Sequence, residues 1–123
     1  MRIVIADRNA EVRSALRLLL ENIDHSWSVI AEVSDLKGLQ ACSNLQDADL
    51  VLLEWTLPGL SSMARKERLT SIRGHGQPLI VALGSSFDDG VHAQTAGVDA
   101  FISKIESPER VITVLREIGK TTH

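Results

Sequence analysis

Apolar residues in this chain follow two alternating rhythms. Short continuous runs, Ile3-Val4-Ile5-Ala6, Leu50-Val51-Leu52-Leu53, Leu79-Ile80-Val81-Ala82-Leu83 and Ala100-Phe101-Ile102, are rich in branched residues. Such runs suit strands covered on both faces. Trp27 to Val33 reads as a further strand. Between the runs, apolar positions recur at helical spacing. Over residues 9–22 and just beyond, Val12, Leu16, Leu19, Leu20 and Ile23 form a stripe, with Arg13, Arg17 and Glu21 between them. Val111, Ile112, Val114, Leu115 and Ile118 form another. Ser34 or Asp35 is placed to cap a short helix running to about Ser43. Leu57-Pro58-Gly59 predicts a loop, and residues 61–73 a helix ended by Gly74-His75-Gly76. After the Gly84-Ser85-Ser86 loop, a short helix to about Ala96 ends at Gly97. Ser107-Pro108-Glu109 opens the last helix, with a cap and then proline at the first helical position.

Five strand–helix units in one short chain predict a parallel sheet with helices on both faces. The 123 residues make one domain, 1–123, with no internal linker. The formal net charge of −3 argues against a broad nucleic-acid surface, which needs clustered Lys and Arg. The Arg65-Lys66-Glu67-Arg68 stretch with Arg73 reads as a solvated helix face. No apolar run nears the roughly 18 residues of a membrane span. The beginning of the chain turns polar too soon for a signal peptide. With a single cysteine, Cys42, the expected setting is the cytoplasm. Cys42 falls in a helical apolar pattern, so it reads as a small buried hydrophobe. His25, His75, His92 and His123 lack metal-ligand spacing.

In parallel α/β sheets, ligands gather outside the carboxyl ends of the strands. The residues there are Asp7 and Arg8, Glu54 and Trp55, Gly84 and Ser85, and Ser103 and Lys104. Two carboxylates and two cations therefore meet at one end of the sheet.

These positions resemble the receiver domain of two-component response regulators, over essentially the whole chain. Asp7 matches one member of the family's acidic pair after the first strand. The Leu57-Pro58-Gly59 turn matches the one following the phosphorylated aspartate. Lys104 matches the lysine after the fifth strand, and Phe101, three residues earlier, takes the aromatic switch position. The resemblance implies a flavodoxin-like (βα)5 doubly wound parallel sheet in strand order 2-1-3-4-5. It implies a signalling role rather than an enzyme. It also implies a protein partner or output domain met through the fourth helix, fifth strand and fifth helix, including Val91, Gln94, Phe101 and Arg110. A homodimer through such a face is a further expectation; direct nucleic-acid or membrane contact is not.

Three departures from the family pattern fall together. Arg8 stands where the second acid ligates Mg²⁺, Glu54 stands for the phosphorylated aspartate, and Gly84 stands for the switch Ser/Thr. Ile105 replaces the proline usual after the lysine. Asp7 and Glu54 against Arg8 and Lys104 sum to zero without any metal. The expectation is that Arg8 takes the place of the ion and pairs with Glu54, leaving Mg²⁺ binding weak or absent. Glu54, longer than aspartate but singly charged, mimics a phosphoryl group in part. Gly84 leaves room for Phe101 to turn inward, as in activated receivers, while Arg8 opposes this by holding Glu54 back.

Other readings stay open at this stage. One is a receiver still phosphorylated on Glu54 or Ser85. Another is the excised receiver half of a helix-turn-helix transcription regulator, and a third is a small enzyme on the same fold. An apolar rim at Leu57, Trp55 and Phe87 is a candidate seat for a small molecule.

Overall fold

The computed structural model describes residues 1–60, 65–74, 76–104 and 108–121. Five strands, β1 (Arg2–Ala6), β2 (Ser28–Val33), β3 (Leu50–Glu54), β4 (Leu79–Gly84) and β5 (Ala100–Ser103), form one parallel sheet in the order β2-β1-β3-β4-β5. The helices are α1 (Ala10–Ile23), α2 (Leu36–Gln40), α3 (Arg65–Arg73), α4 (Phe87–Ala96) and α5 (Pro108–Thr121). The expected fold class and strand order are both present.

Pleating sends alternate strand residues to opposite faces, and two apolar layers result. Val4, Val51, Leu53, Ile80 and Ala82 join Leu36, Leu39, Leu69, Ile72 and Ala93 on the side of α2, α3 and α4. Ile3, Ile5, Leu50, Leu52, Val81 and Leu83 join Leu20, Val111 and Leu115 on the side of α1 and α5. Each layer covers one face, which is why the strands lack alternation.

Local signals set the helix boundaries. The Asn9 side chain caps α1 by accepting from the N–H groups of Glu11 and Val12. Asp35, not Ser34, caps α2, accepting from the Gly38 N–H at 2.6 Å. Ser86 caps α4, which ends on Gly97 at φ 101°. The Leu57-Pro58-Gly59 turn is tied to α2 by the Leu36 N–H, which donates to the Pro58 carbonyl at 2.9 Å.

Three expectations need correction. α2 stops at Gln40, and a 3-10 turn over Ser43–Asp47 follows instead of a helix to Ser43. Ser43, Asn44, Gln46 and Asp47 supply no apolar stripe that would hold a longer helix against the sheet. Cys42 therefore sits at the start of that turn, half-buried, rather than in the core. Ile23, at the terminus of α1, is 42% exposed because no further helical turn covers it. The predicted start of α3 at residue 61, the Ser107 cap, and the positions of His75, Ile105 and His123 lie outside the described residues. His25 and His92 are exposed.

Candidate functional site

The carboxyl ends of β1, β3, β4 and β5 lie along one edge, as parallel pairing of neighbouring strands requires. Asp7 directly follows β1 and is 1% exposed, while Glu54 ends β3 and is 5% exposed. Burying two carboxylates costs free energy unless cations and donors compensate. Lys104, just past β5, supplies one cation. Its Nζ lies 3.0 Å from Glu54 Oε2 and 3.3 Å from Asp7 Oδ2. Arg8 supplies the other, with Nε 3.2 Å from Glu54 Oε1. The backbone N–H of Arg8 donates to the same oxygen at 3.1 Å, and its Nη2 donates to the Thr56 carbonyl. Asp7 Oδ1 accepts from the Asn9 N–H at 2.9 Å. The four charged residues read from the sequence thus form one contiguous network, including the Arg8–Glu54 pair.

These contacts act on proton affinity. Burial alone would raise the Glu54 pKa, but the Arg8 backbone N–H, Lys104 and the Arg8 side chain outweigh it and lower it. Burial would lower the Lys104 pKa, but its bond to Glu54 and the charge of Asp7 raise it. A lowered carboxylate stabilises the fold above its unfolded value and loses that contribution as pH falls. A raised lysine contributes below its unfolded value and loses this as pH rises. Between the ordinary values of 4.5 and 10.5 the network therefore contributes in full. Both cations are partly solvated, so a Glu54→Gln variant should lose about 1–2 kcal/mol at neutral pH. In urea unfolding, the gap from wild type should close as pH falls below 4.5. A gap independent of pH would show that the ionised carboxylate is not what stabilises.

Gly84 ends β4 beside the network, and the Phe101 ring occupies the space a side chain there would need. A Cβ at position 84 would lie 2.8 Å from Cε2 and Cζ of Phe101 and 2.9 Å from Cβ of Asp89. A Cβ at position 90 would lie 3.2 Å from Cδ1 and Cε1 of the same ring. Phe101 is therefore seated on two glycines and packs against the α2–α4 layer. Gly90 was not picked out from the sequence. Its signal was a glycine inside a ten-residue helix, a place where it is costly unless something approaches closely.

Outside Phe101, a groove of about 710 Å³ runs along α4, lined by Phe87, Gly90, Val91 and Gln94 among others. A second groove, bordered by Gln94, Phe101 and Arg110, lies toward α5. Phe87 is 84% exposed, and Val91 is exposed as well. The apolar rim expected at Leu57, Trp55 and Phe87 does not exist, because Trp55 and Leu57 are core residues and only Phe87 reaches solvent. Leu57 and Trp55 turn inward from the β3 loop, where the Arg65 guanidinium lies 4.5 Å from the Trp55 ring centroid. Arg65 thus stacks rather than standing solvated, and Arg73 pairs with Asp99 at 2.9 Å. Sequence reading also missed Arg13, one turn into α1, whose Nη1 donates to the Asp7 carbonyl at 2.6 Å. Its Nε lies 3.3 Å from Glu32, itself paired with Arg17. Arg13 was read as a spacer in an amphipathic stripe.

Among the described residues, no helix is long and apolar enough to cross a membrane. Comparison with known proteins gives a consistent picture. The chain is 27% identical over 121 residues to the nitrate/nitrite response regulator protein NarP of Escherichia coli, covering 96% of this chain and 54% of that protein. NarL of the same organism is 23% identical over 116 residues, covering 94% and 53%. The chain spans about half the length of the curated relatives it matches. Among solved structures, the isolated REC domain of RcsB from Salmonella enterica serovar Typhimurium, in the presence of phosphomimetic BeF3-, superposes with a TM-score of 0.81. It is 22% identical, with 98% of this chain and 88% of that one covered. A LuxR-family two-component response regulator from Aurantimonas sp. gives 0.80 at 24% identity, covering 95% and 83%. The family model for the response regulator receiver domain matches residues 3–116, and with the sheet order and the strand-end cluster already described, the chain belongs to the response regulator receiver domain family.

Proposed function

We propose that this receiver domain transmits its signal through protein–protein contact without conventional aspartyl phosphorylation or Mg²⁺. The observation that carries this reading is the closed network of Asp7, Glu54, Arg8 and Lys104. Phosphoryl transfer to a carboxylate needs an in-line nucleophile and a cation to neutralise the incoming charge. Here Glu54 spends one oxygen on Arg8 and the other on Lys104. The remaining acid, Asp7, shares Lys104. Among the described residues no group of three or more His, Cys, Asp or Glu side chains is placed to hold a metal ion. A hard divalent cation takes several oxygen donors, and Arg8 stands where one more would be needed.

The output side supports the same reading. Phe101 is turned inward over Gly84 and Gly90, the orientation that the family resemblance links to activation. Inward placement leaves α4, β5 and α5 as the contact face, with Phe87 and Val91 offering exposed apolar area and Gln94 and Arg110 at the edges. The partner is a protein, with a second copy of the chain as one form of it, acting in the cytoplasm.

Intact mass after incubation with Mg²⁺ and acetyl phosphate tests the proposal, with a Glu54→Asp/Arg8→Asp double variant alongside. The wild type should gain no phosphoryl group and the double variant should gain one. A phosphorylated wild type would overturn the reading. Trp55, adjacent to Glu54, gives a second readout: its fluorescence in the wild type should not respond to millimolar Mg²⁺.

A further inference from the structure

A cleft of about 400 Å³ opens between α1 and α5 on the side of the sheet away from Phe101. Its walls are Val12, Ala15, Leu16 and Leu19 from α1 and Val111 from α5, and Leu83 and Ile102 form its floor. Among its described lining residues one side chain is charged: Lys104, at the end nearest the strand termini. An ammonium carries three N–H donors. Asp7 and Glu54 account for two of them, and the Lys104 side chain is 31% exposed. Concave, mainly apolar space with one placed polar group is the usual form of a small-molecule site.

We infer that this cleft binds a monocarboxylate with an unbranched apolar chain, its head group on Lys104 and its chain between α1 and α5. Charge complementarity selects the head: Lys104 is the one charged side chain among the described lining residues, and Asp7 and Glu54, which share its ammonium, stand outside that lining. Volume selects the chain. The space equals roughly a dozen water-sized groups, which suits about seven to ten carbons. The inference does not rest on the phosphate-independent reading. It does link the two sites physically, because the same ammonium holds Asp7 and Glu54, and an anion competing for it would loosen the network.

The test is a methyl-resolved NMR titration with sodium octanoate and, separately, octanol, below micelle-forming concentrations. Octanoate should shift the methyls of Val12, Leu16, Leu19 and Val111 saturably, and octanol should bind at least about tenfold more weakly. Ala15→Phe, an exposed α1 position at the cleft wall, should abolish both responses while leaving the methyls of Leu53 and Ile72 unshifted. Saturable shifts confined to Phe87 contacts and Val91, or none at all, would overturn the site. Equal affinity for the alcohol would overturn the carboxylate assignment. Should Ala15→Phe unfold, the location of the shifts and the acid-to-alcohol ratio still decide.

Discussion

Lys104→Met should destabilise the domain by about 2–3 kcal/mol at neutral pH and reverse the sign of its response to acid. The variant keeps most of the aliphatic stem but removes the cation shared by two buried carboxylates. Glu54 retains Arg8, whereas Asp7 retains the N–H of Asn9 as its side-chain partner. Breaking a fully buried pair costs more than this, and the partial exposure of Lys104 sets the lower figure. Two buried carboxylates stripped of their common cation favour protonation, so the folded form then binds more protons than the unfolded chain. Acid stabilises in that case. Urea unfolding at about pH 7 and about pH 5 should show the variant gaining stability at the lower value, while the wild type gains none. A variant as stable as wild type at neutral pH would show that the lysine is peripheral to the network.

Gly84→Thr should expel Phe101 from its seat at a cost of about 1–3 kcal/mol. The added Cβ alone would fall within 3 Å of two ring carbons and of Asp89 Cβ. Asp89 is also fixed, because its carboxylate accepts the Ser85 N–H and its N–H donates to Ser86. The ring is the part able to move, since it sits on the open side of β5. Nuclear Overhauser contacts between the Phe101 ring and Gly90 should vanish in the variant. Combining Gly84→Thr with Phe101→Ala should cost less than the sum of the two changes, because the clash is removed with the ring. Contacts that persist in the single variant would mean the strand yields instead, and the seat would not control the ring.

Much of this was legible in the residues. Continuous apolar strands and signals such as the Asp35 cap and the Gly97 stop gave the order and type of elements, because each acts over one turn or one strand. The four strand-end charges were legible for the same reason: parallel topology brings all such ends together, whatever the loops do. The Arg8–Glu54 pair followed from charge balance together with the family resemblance, which sets Arg8 where an acid would ligate Mg²⁺. What stayed hidden depended on packing between distant segments. Trp55 and Leu57 read as a rim because loop residues are usually exposed, yet the turn at Gly59 folds them under α2 and Arg65. Gly90 acquires its meaning from a ring eleven residues later in the chain. Cys42 and Ile23 were misread because a periodic pattern does not mark the residue at which a helix stops.

The sheet also acts as a partition. Phe101 and its glycine seat belong to one apolar layer, and the cleft with Val111 and Leu115 belongs to the other; among the described residues no buried side chain is shared between them. Substitutions that repack one layer reach the opposite one only through the strands themselves. Repacking beneath α1 and α5 thus answers to the cleft and to stability, while the side bearing α4 answers to whatever Phe101 and Val91 must touch. The two faces of one small domain can thus be altered separately, each by substitutions in its own layer.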